Sequence, residues 1–559
     1  MSSNATETAL GLIDNVRSQI SIATIVSALL AVFVGSKVLK HPQNLKAVSH
    51  IPGFRVPFHP LRLPGVLLPT TWWNPGFYFM WTWRNNLYKR FGSDTISFVS
   101  FFSGPPTIYT ANLDVTRQVA SSSGGRSFIK PETASRAILV WGMNLLAADG
   151  DTWRKHRRIM GPAFNTKLFE MVWRETLTTY REMVTEEGWT NKKEVDIPVI
   201  QALTFKLALL IIGKCGFGFS FTWSEPARTA DGRMSVQEAI RVVADTFMIS
   251  SFVPKWIQNL PFKKLQECVE AQNELTGFMK AQVQERKAEL SSGSDVPRTD
   301  AFSLLVKANE DEGGKFKLDD EELIGNVYIM LLAGHETTAH SIAATIGFLS
   351  LSDDIQEDIY RQIHSVVGLD RDPEYEDYAK LDKVLAAFYE GLRLFPAGYI
   401  LIREAFEDTV LQIPNPVGEE GSKSIPIPKG TTVSILHLLK IRSTYITVQV
   451  VVDMIGVQYN PRYFDNPEEY RPSRWHGVSA DSEAFSAFSI GPRTCIGRKF
   501  ATTEVVCFLT MLLRDYKVQP IMRPGETKEE WRKRVMDGKL VLTLGVKDVP
   551  VKFVRRGRV

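Results

Sequence analysis

Cysteine is scarce, with four in 559 residues: Cys215, Cys268, Cys495 and Cys507. They are too few and too scattered for a disulfide scaffold or a C-x-x-C zinc ribbon, which places the bulk of the chain in a reducing compartment. An excess of one charge is also missing. Lys plus Arg number 66 against 62 for Asp plus Glu, a net of +4, and no contiguous basic run is long enough to grip nucleic acid. Nucleic acid is therefore not an expected partner. There is no internal repeat and no convincing dinucleotide fingerprint, and beyond the N-terminal region no polar linker exceeds Ser291 to Asp300. At 44% hydrophobic, 23% charged and 11% aromatic, the composition excludes disorder, collagen and a polytopic membrane bundle.

One long apolar run is present. Ser18 to Ser36 is a stretch of 19 uncharged residues, which as a helix at about 1.5 Å per residue spans roughly 28 Å, the depth of one bilayer core. A cleaved signal peptide would carry its positive charge ahead of a shorter apolar core. Here Glu7, Asp14 and Arg17 precede the run, whereas Lys37, Lys40, Lys46, Arg55 and Arg62 follow it with no acidic residue before Asp94. The positive-inside rule then makes 1–17 a short lumenal tail, 18–39 an uncleaved anchor and the large remainder cytoplasmic. Asn4-Ala5-Thr6 is the only N-x-S/T sequon and falls on the lumenal side, so Asn4 is the candidate glycosylation site. Residues 40–71, with Pro52, Pro57, Pro60, Pro64 and Pro69, read as a stiff neck. From 72 to 559 a single domain is expected, mainly α with small β-sheets. Helical periodicity covers Lys264 to Leu290 and Asp319 to Leu351, and short alternating runs cluster near Phe98 to Tyr109 and Thr431 to Val457.

Four places carry chemistry. In Phe488-Ser-Ile-Gly491-Pro492-Arg493-Thr-Cys495-Ile-Gly497-Arg498 a rigid turn presents one thiol just before an apolar helix, a position that favours thiolate. In Ala333-Gly334-His335-Glu336-Thr337-Thr338, glycine beside two threonines predicts a locally distorted helical turn. The same segment invites a zinc-protease reading, H-E-x-x-H, but the second histidine is His340. Positions i and i+5 lie about 140° apart on a helix and cannot share a metal. Third is Glu390-Gly-Leu-Arg393 with the later Arg474, and fourth is Trp153-Arg-Lys-His-Arg157, an indole and a guanidinium on one helical face. Taken alone, the last two read equally well as a solvated ion pair and an amphipathic surface helix.

Together, in this order, the motifs resemble the cytochrome P450 family, and F-x-x-G-x-R-x-C-x-G matches at every fixed position. The resemblance implies haem b with Cys495 as the axial thiolate to iron. It implies that Thr337 bonds the iron-oxygen species and Glu336 relays protons, and that Trp153, Arg157, Arg403 and Arg493 clamp the haem propionates. Glu390, Arg393 and Arg474 would be a structural triad, with Trp475 following and Ser473 where many members carry Glu. It further implies electrons from NADPH through a separate FAD/FMN cytochrome P450 reductase, docked on a basic face of Arg154, Lys155, Arg158, Arg498 and Lys499.

The expected activity is that of an endoplasmic reticulum-anchored, single-pass haem-thiolate monooxygenase acting with O2 on an apolar small molecule. The look of the chain is similar to fungal microsomal members of secondary metabolism or xenobiotic oxidation, with a terpenoid or polycyclic aromatic substrate. Candidate wall residues are Phe247, Met248, Leu331, Leu332 and Ala397-Gly398-Tyr399-Ile400. The alternatives are a membrane-tethered haem carrier or sensor and an O2-independent haem-thiolate isomerase. One segment departs from the family pattern: Thr432 would join directly to Val450, yet Val433 to Gln449 lies between. Its ends can be encoded by intron boundary signals, so it reads as a retained intron or an inserted segment.

Overall fold

The computed structural model describes residues 22–121, 127–132, 135, 138–219, 221–292, 299–312, 316–416, 418–429, 431–433, 444–478, 485–540 and 542–557. Asn4, the 1–17 tail, the start of the anchor and 434–443 lie outside them. The chain divides into two compact units, Met1–Tyr109 with Glu407–Val450, and Thr110–Phe406 with Val451–Val559. The sequence suggests one body from residue 72 onward. A scan for linkers does not find this division, because each unit is assembled from separate stretches and no flexible segment marks the crossings.

In the first unit the apolar run forms helix α1, Ile22–Ala47. Its span from Thr24 to Ala47 has a mean hydropathy of 1.4 and is unburied, long and apolar enough to cross a membrane. The helix therefore continues past residue 39, through Pro42, into the expected neck. Beyond it the neck is partly sheet: Gly53–Val56 pairs in parallel with Thr95–Ser100. Gly53 permits this approach, since a Cβ there would sit 2.0 Å from the carbonyl oxygen of Ser97. Thr409–Pro414 and Ser422–Ile427 form an antiparallel hairpin. At the departing segment, Thr431–Val433 pairs antiparallel with Thr444–Ile446, so its described ends close a ribbon of their own.

The second unit is built around helices α2 (Gly150–Met160), α3 (Thr166–Glu186), α4 (Gln201–Ile211), α5 (Asp320–Leu351), α6 (Asp382–Leu394) and α7 (Arg498–Asp515). Asp319 and Glu322 close a capping box that starts α5, and acidic residues fill its first turn, where the helix dipole favours them. From Leu323 to Leu332 every residue of α5 is buried, as expected of a helix apolar all round at the centre of a large core. α4 and α6 pack against α5, and α3 packs against α7. Small sheets finish the unit: Val551–Arg555 lies between Tyr516–Pro520 and Glu194–Ile197, both antiparallel to it, and Gly538–Leu540 pairs with Leu544–Val546. The mainly α architecture with small sheets is as read from the sequence.

Candidate active site

Cys495 sits where a loop turns into α7. Gly491, at φ +72°, supplies the left-handed step, Pro492 fixes the next turn, and the Cys495 N–H donates to Phe488 O at 2.9 Å. The side chain is exposed, yet burial among surrounding atoms pushes its thiol above the ordinary value. Both hold for a sulfur facing an internal space. The Gly497 N–H and the Arg157 and Arg498 guanidiniums pull the other way. Burial wins, so the helix terminus alone does not make the thiolate that the sequence suggests, and a cation bound at the sulfur would be needed to complete it.

Around this loop lies an excess of positive charge. The Arg493 guanidinium covers the Trp153 ring at 4.8 Å, donates to Ala148 O at 2.9 Å and pairs with Asp149, while its Nε is buried without a partner. Arg403 is buried and donates to Ile402 O at 2.9 Å; burial, with Arg493 nearby, brings its pKa down to about 10. Lys130 joins them, its ammonium held well below the ordinary range by burial and by Arg493 and Arg403. Arg157, one turn along α2 from Trp153, is half-buried and within electrostatic reach of Cys495. Among the described residues, Asp149 is the one carboxylate that acts on all three of Lys130, Arg403 and Arg493. It spends itself on Arg493 and on the Lys130 N–H at 2.6 Å rather than capping its own helix. An anionic group is what would balance this surplus. Lys130 has no motif around it, and its signal appears only once the fold brings it beside residues hundreds of positions away.

α5 carries the second opening. After its buried stretch, Ala333 is exposed and Gly334 and Thr337 are half-buried before burial resumes. These positions share a face, so a small accessible dent follows the enclosed stretch. Where the sequence predicts a locally distorted turn, the α-helix runs on from Asp320 to Leu351. The Thr337 and Thr338 hydroxyls donate to the carbonyls four residues back, at 2.8 and 3.0 Å, while the α-helix continues. Gly334 instead serves packing, since its Cβ would stand 3.0 Å from Ile212 in the π-helical turn Ile212–Gly216. Glu336 points elsewhere: it is buried, accepts from the Thr543 hydroxyl at 2.7 Å, and burial raises its pKa. His335 Nδ1 lies 2.8 Å from Leu331 O of its own helix, and the rings of His335 and His340 both meet Phe205 edge-on, at 6.2 and 4.8 Å.

Glu390 and Arg393 are fully buried and joined by two bonds of 2.9 Å. Arg474 Nε adds a third at 3.1 Å, and the Trp475 indole N–H donates to Glu390 at 2.8 Å. The remaining Arg393 donors reach Gln458 O and Glu469 O, and those of Arg474 reach Asp465 and Asn466 O. The sequence groups the first three residues and misses Trp475 as a fourth member, because nothing local says which way an indole N–H points.

The cytochrome P450 family model matches residues 75–443 and 447–542. The chain belongs to the cytochrome P450 family. It is 32% identical over 543 residues to cytochrome P450 monooxygenase 124 of Postia placenta, covering 96% of this chain and 100% of that protein. It is 26% identical to cytochrome P450 monooxygenase AOL_s00215g278 of Arthrobotrys oligospora, covering 85% of each. The fold is similar to the cytochrome P450DA heme domain, with a TM-score of 0.66 at 19% identity over 90% of this chain and 99% of that one. Membership makes this chain an oxidoreductase of a haem-thiolate family that takes O2, hydrophobic substrates and electrons from a redox partner. The exposed thiol, the orphaned Arg493 Nε and the uncompensated cations fit a haem with its two propionates.

The basic face expected of this P450 is largely neutralised within the protein. Arg154 pairs with Asp151 at 2.5 Å, Lys155 with Glu322 at 2.5 Å, and Arg158 forks onto Glu312 at 3.2 and 3.3 Å. Arg498 is ringed by Tyr389, Phe485 and Phe488, and Lys499 lies 3.2 Å from the Tyr378 ring centroid, where burial brings its pKa down to about 8. Of the candidate wall residues, Phe247, Leu331, Leu332, Ala397 and Tyr399 are buried, whereas Gly398 is exposed and Ile400 half-buried.

Proposed function

We propose that this chain is a membrane-anchored monooxygenase that inserts one oxygen atom of O2 into an apolar small molecule, by hydroxylation or epoxidation, and reduces the other to water. The observation that carries the reading is the accessible Cys495 thiol beside a cation cluster that lacks its counter-charge. In this reading Cys495 would ligate the haem iron through its sulfur, and Trp153, Arg157, Arg403 and Arg493, with Lys130, would hold the propionates. When bound, the haem supplies the oxygen-activating chemistry, to which sulfur ligation contributes electron density. Glu336, with its raised pKa, keeps a proton closer to neutral pH than an ordinary carboxyl and can pass it on. Thr337, beside the dent, gives its own proton to Ala333 O and so keeps its oxygen free to accept a bond there. Glu390, Arg393, Arg474 and Trp475 hold the fold.

Electrons come from NADPH through a separate FAD/FMN reductase, and α1 tethers the protein as a single pass in the endoplasmic reticulum membrane with Asn4 lumenal and glycosylated. The proposed substrate is a terpenoid-like molecule of secondary metabolism or a polycyclic aromatic, whereas the fungal relatives support the monooxygenase class itself. Residues Val433 to Gln449 are an unspliced remnant or an insertion. The test is the carbon monoxide difference spectrum of reduced membranes carrying the full chain, beside a version lacking Val433 to Gln449. A thiolate-type Soret band from either supports Cys495 ligation, and a band from the shortened chain alone assigns the segment to mis-splicing. No band from either, or NADPH-independent behaviour throughout, overturns the monooxygenase in favour of a carrier.

A further inference from the structure

Glu336 is held from outside its own helix. The hairpin of Gly538–Leu540 and Leu544–Val546 packs on α5. Thr543, at its turn and only 8% exposed, donates its hydroxyl to Glu336 Oε1 at 2.7 Å. One turn further along the same face of α5, His340 faces the returning strand. A Cβ on Gly545 would stand 2.2 Å from His340 Nδ1, so the hairpin backbone presses directly on that ring. The same turn has a second attachment, because the Leu544 N–H donates to Ala397 O at 3.1 Å, in the bend that follows Pro396. Adjacent residues of one turn thus grip the acid of α5 and a wall residue of the candidate substrate space.

We propose that this hairpin is a positioning element for the reaction, in which Thr543 orients the Glu336 carboxyl and Leu544 ties that orientation to the Ala397 bend. The inference rests on the reading of Glu336 as proton carrier. A carboxyl on a flexible side chain samples several rotamers, and a hydroxyl held by a strand pair packed on the same helix selects one of them. The geometry explains why the turn carries threonine, since valine has the same shape and cannot donate.

The test uses the full-length holoenzyme in membranes with its reductase and no added substrate, comparing Thr543→Val, Thr543→Ser and Glu336→Gln. Two quantities are read: NADPH oxidation with its solvent deuterium isotope effect, and the infrared carbonyl band of protonated Glu336, assigned by its loss in Glu336→Gln. The rate of forming the ferrous carbon monoxide complex under NADPH checks that electron supply is unchanged. Thr543→Val is expected to slow NADPH oxidation several-fold, enlarge the isotope effect and shift the infrared band, and Thr543→Ser is expected to restore all three. If Glu336→Gln is slow while Thr543→Val matches the parent, the positioning role is overturned and the relay stands. If Glu336→Gln itself matches the parent, the relay reading fails and the positioning role fails with it, even if the infrared band still shifts in Thr543→Val.

Discussion

Two groups of buried arginines in the second unit follow opposite rules. Around Glu390 the charges close on one another. All three guanidinium nitrogens of Arg393 have an acceptor, Glu390 takes bonds from Arg393, Arg474, Trp475 and the Arg471 N–H, and Asp465 balances the second arginine. Around Asp149 they do not, since Lys130, Arg403 and Arg493 press on one another and one Nε is unpartnered. A closed set stabilises the protein as it stands, whereas an open set costs stability until something anionic completes it. The contrast distinguishes the two clusters by charge balance alone, without appeal to the motifs.

Breaking the closed set should have the largest effect. Removing one partner of a buried ion pair costs about 3–5 kcal/mol, because the other charge stays buried and unpaired. Glu390→Ala leaves two such arginines and is expected to abolish recovery of folded protein, read as loss of a cooperative thermal transition and of the carbon monoxide spectrum together. Arg403→Met sharpens the comparison because its two effects have opposite signs. It relieves repulsion in the haem-free protein, whose melting midpoint should rise or hold. It also removes a charge-assisted contact of about 1.5–3 kcal/mol, so haem loss to an acceptor protein should accelerate by roughly tenfold or more. If haem loss is unchanged, the open set is not the propionate clamp.

The difference between the sets also marks what was legible in the sequence. Glu390 and Arg393 lie one helical turn apart, and Cys495 lies in a loop whose glycine, proline and arginine are all local, so both could be read from spacing. The partners that complete them are remote: Arg474 donates across 84 positions, Trp475 across 85, and Arg493 reaches Ala148 across 345. Arg474 was recoverable because a family pattern encodes it. Lys130, Trp475 and Thr543 were not, because an indole N–H, an ammonium or a hydroxyl acquires a role only from what the fold sets opposite it.

A pH-dependent difference should follow from His340. Burial depresses its pKa to about 4, against about 6.5 for a free histidine. Below pH 6.5 the unfolded chain binds a proton that the folded state refuses, so stability falls with decreasing pH until the folded group itself protonates near 4. The slope is at most about 1.4 kcal/mol per pH unit for one site. His340→Phe keeps the edge-on contact with Phe205 and removes the titration. The stability difference between this variant and the parent should then widen in favour of the variant from pH 6.5 to 4.5 and be flat above 7.5, as followed by denaturant titration.

The smallest effect is expected at the surface. Arg158 belongs to the basic face expected to dock the electron donor, but its guanidinium is already forked onto Glu312. Exposed pairs of this kind contribute about 0.2–1 kcal/mol, so Arg158→Ala removes one cation and exposes one carboxylate, and should raise the half-saturating reductase concentration by less than about threefold. Glu312→Gln makes the sharper test. It leaves the cation in place and removes its internal counter-charge, so reductase should bind more tightly than to the parent at low salt, and the gain should vanish as the Debye length shrinks from about 30 Å at 0.01 M to about 10 Å at 0.1 M. Equal affinity at low salt would mean that the donor approaches elsewhere, and that the pairing of Arg158 with Glu312 serves the fold alone.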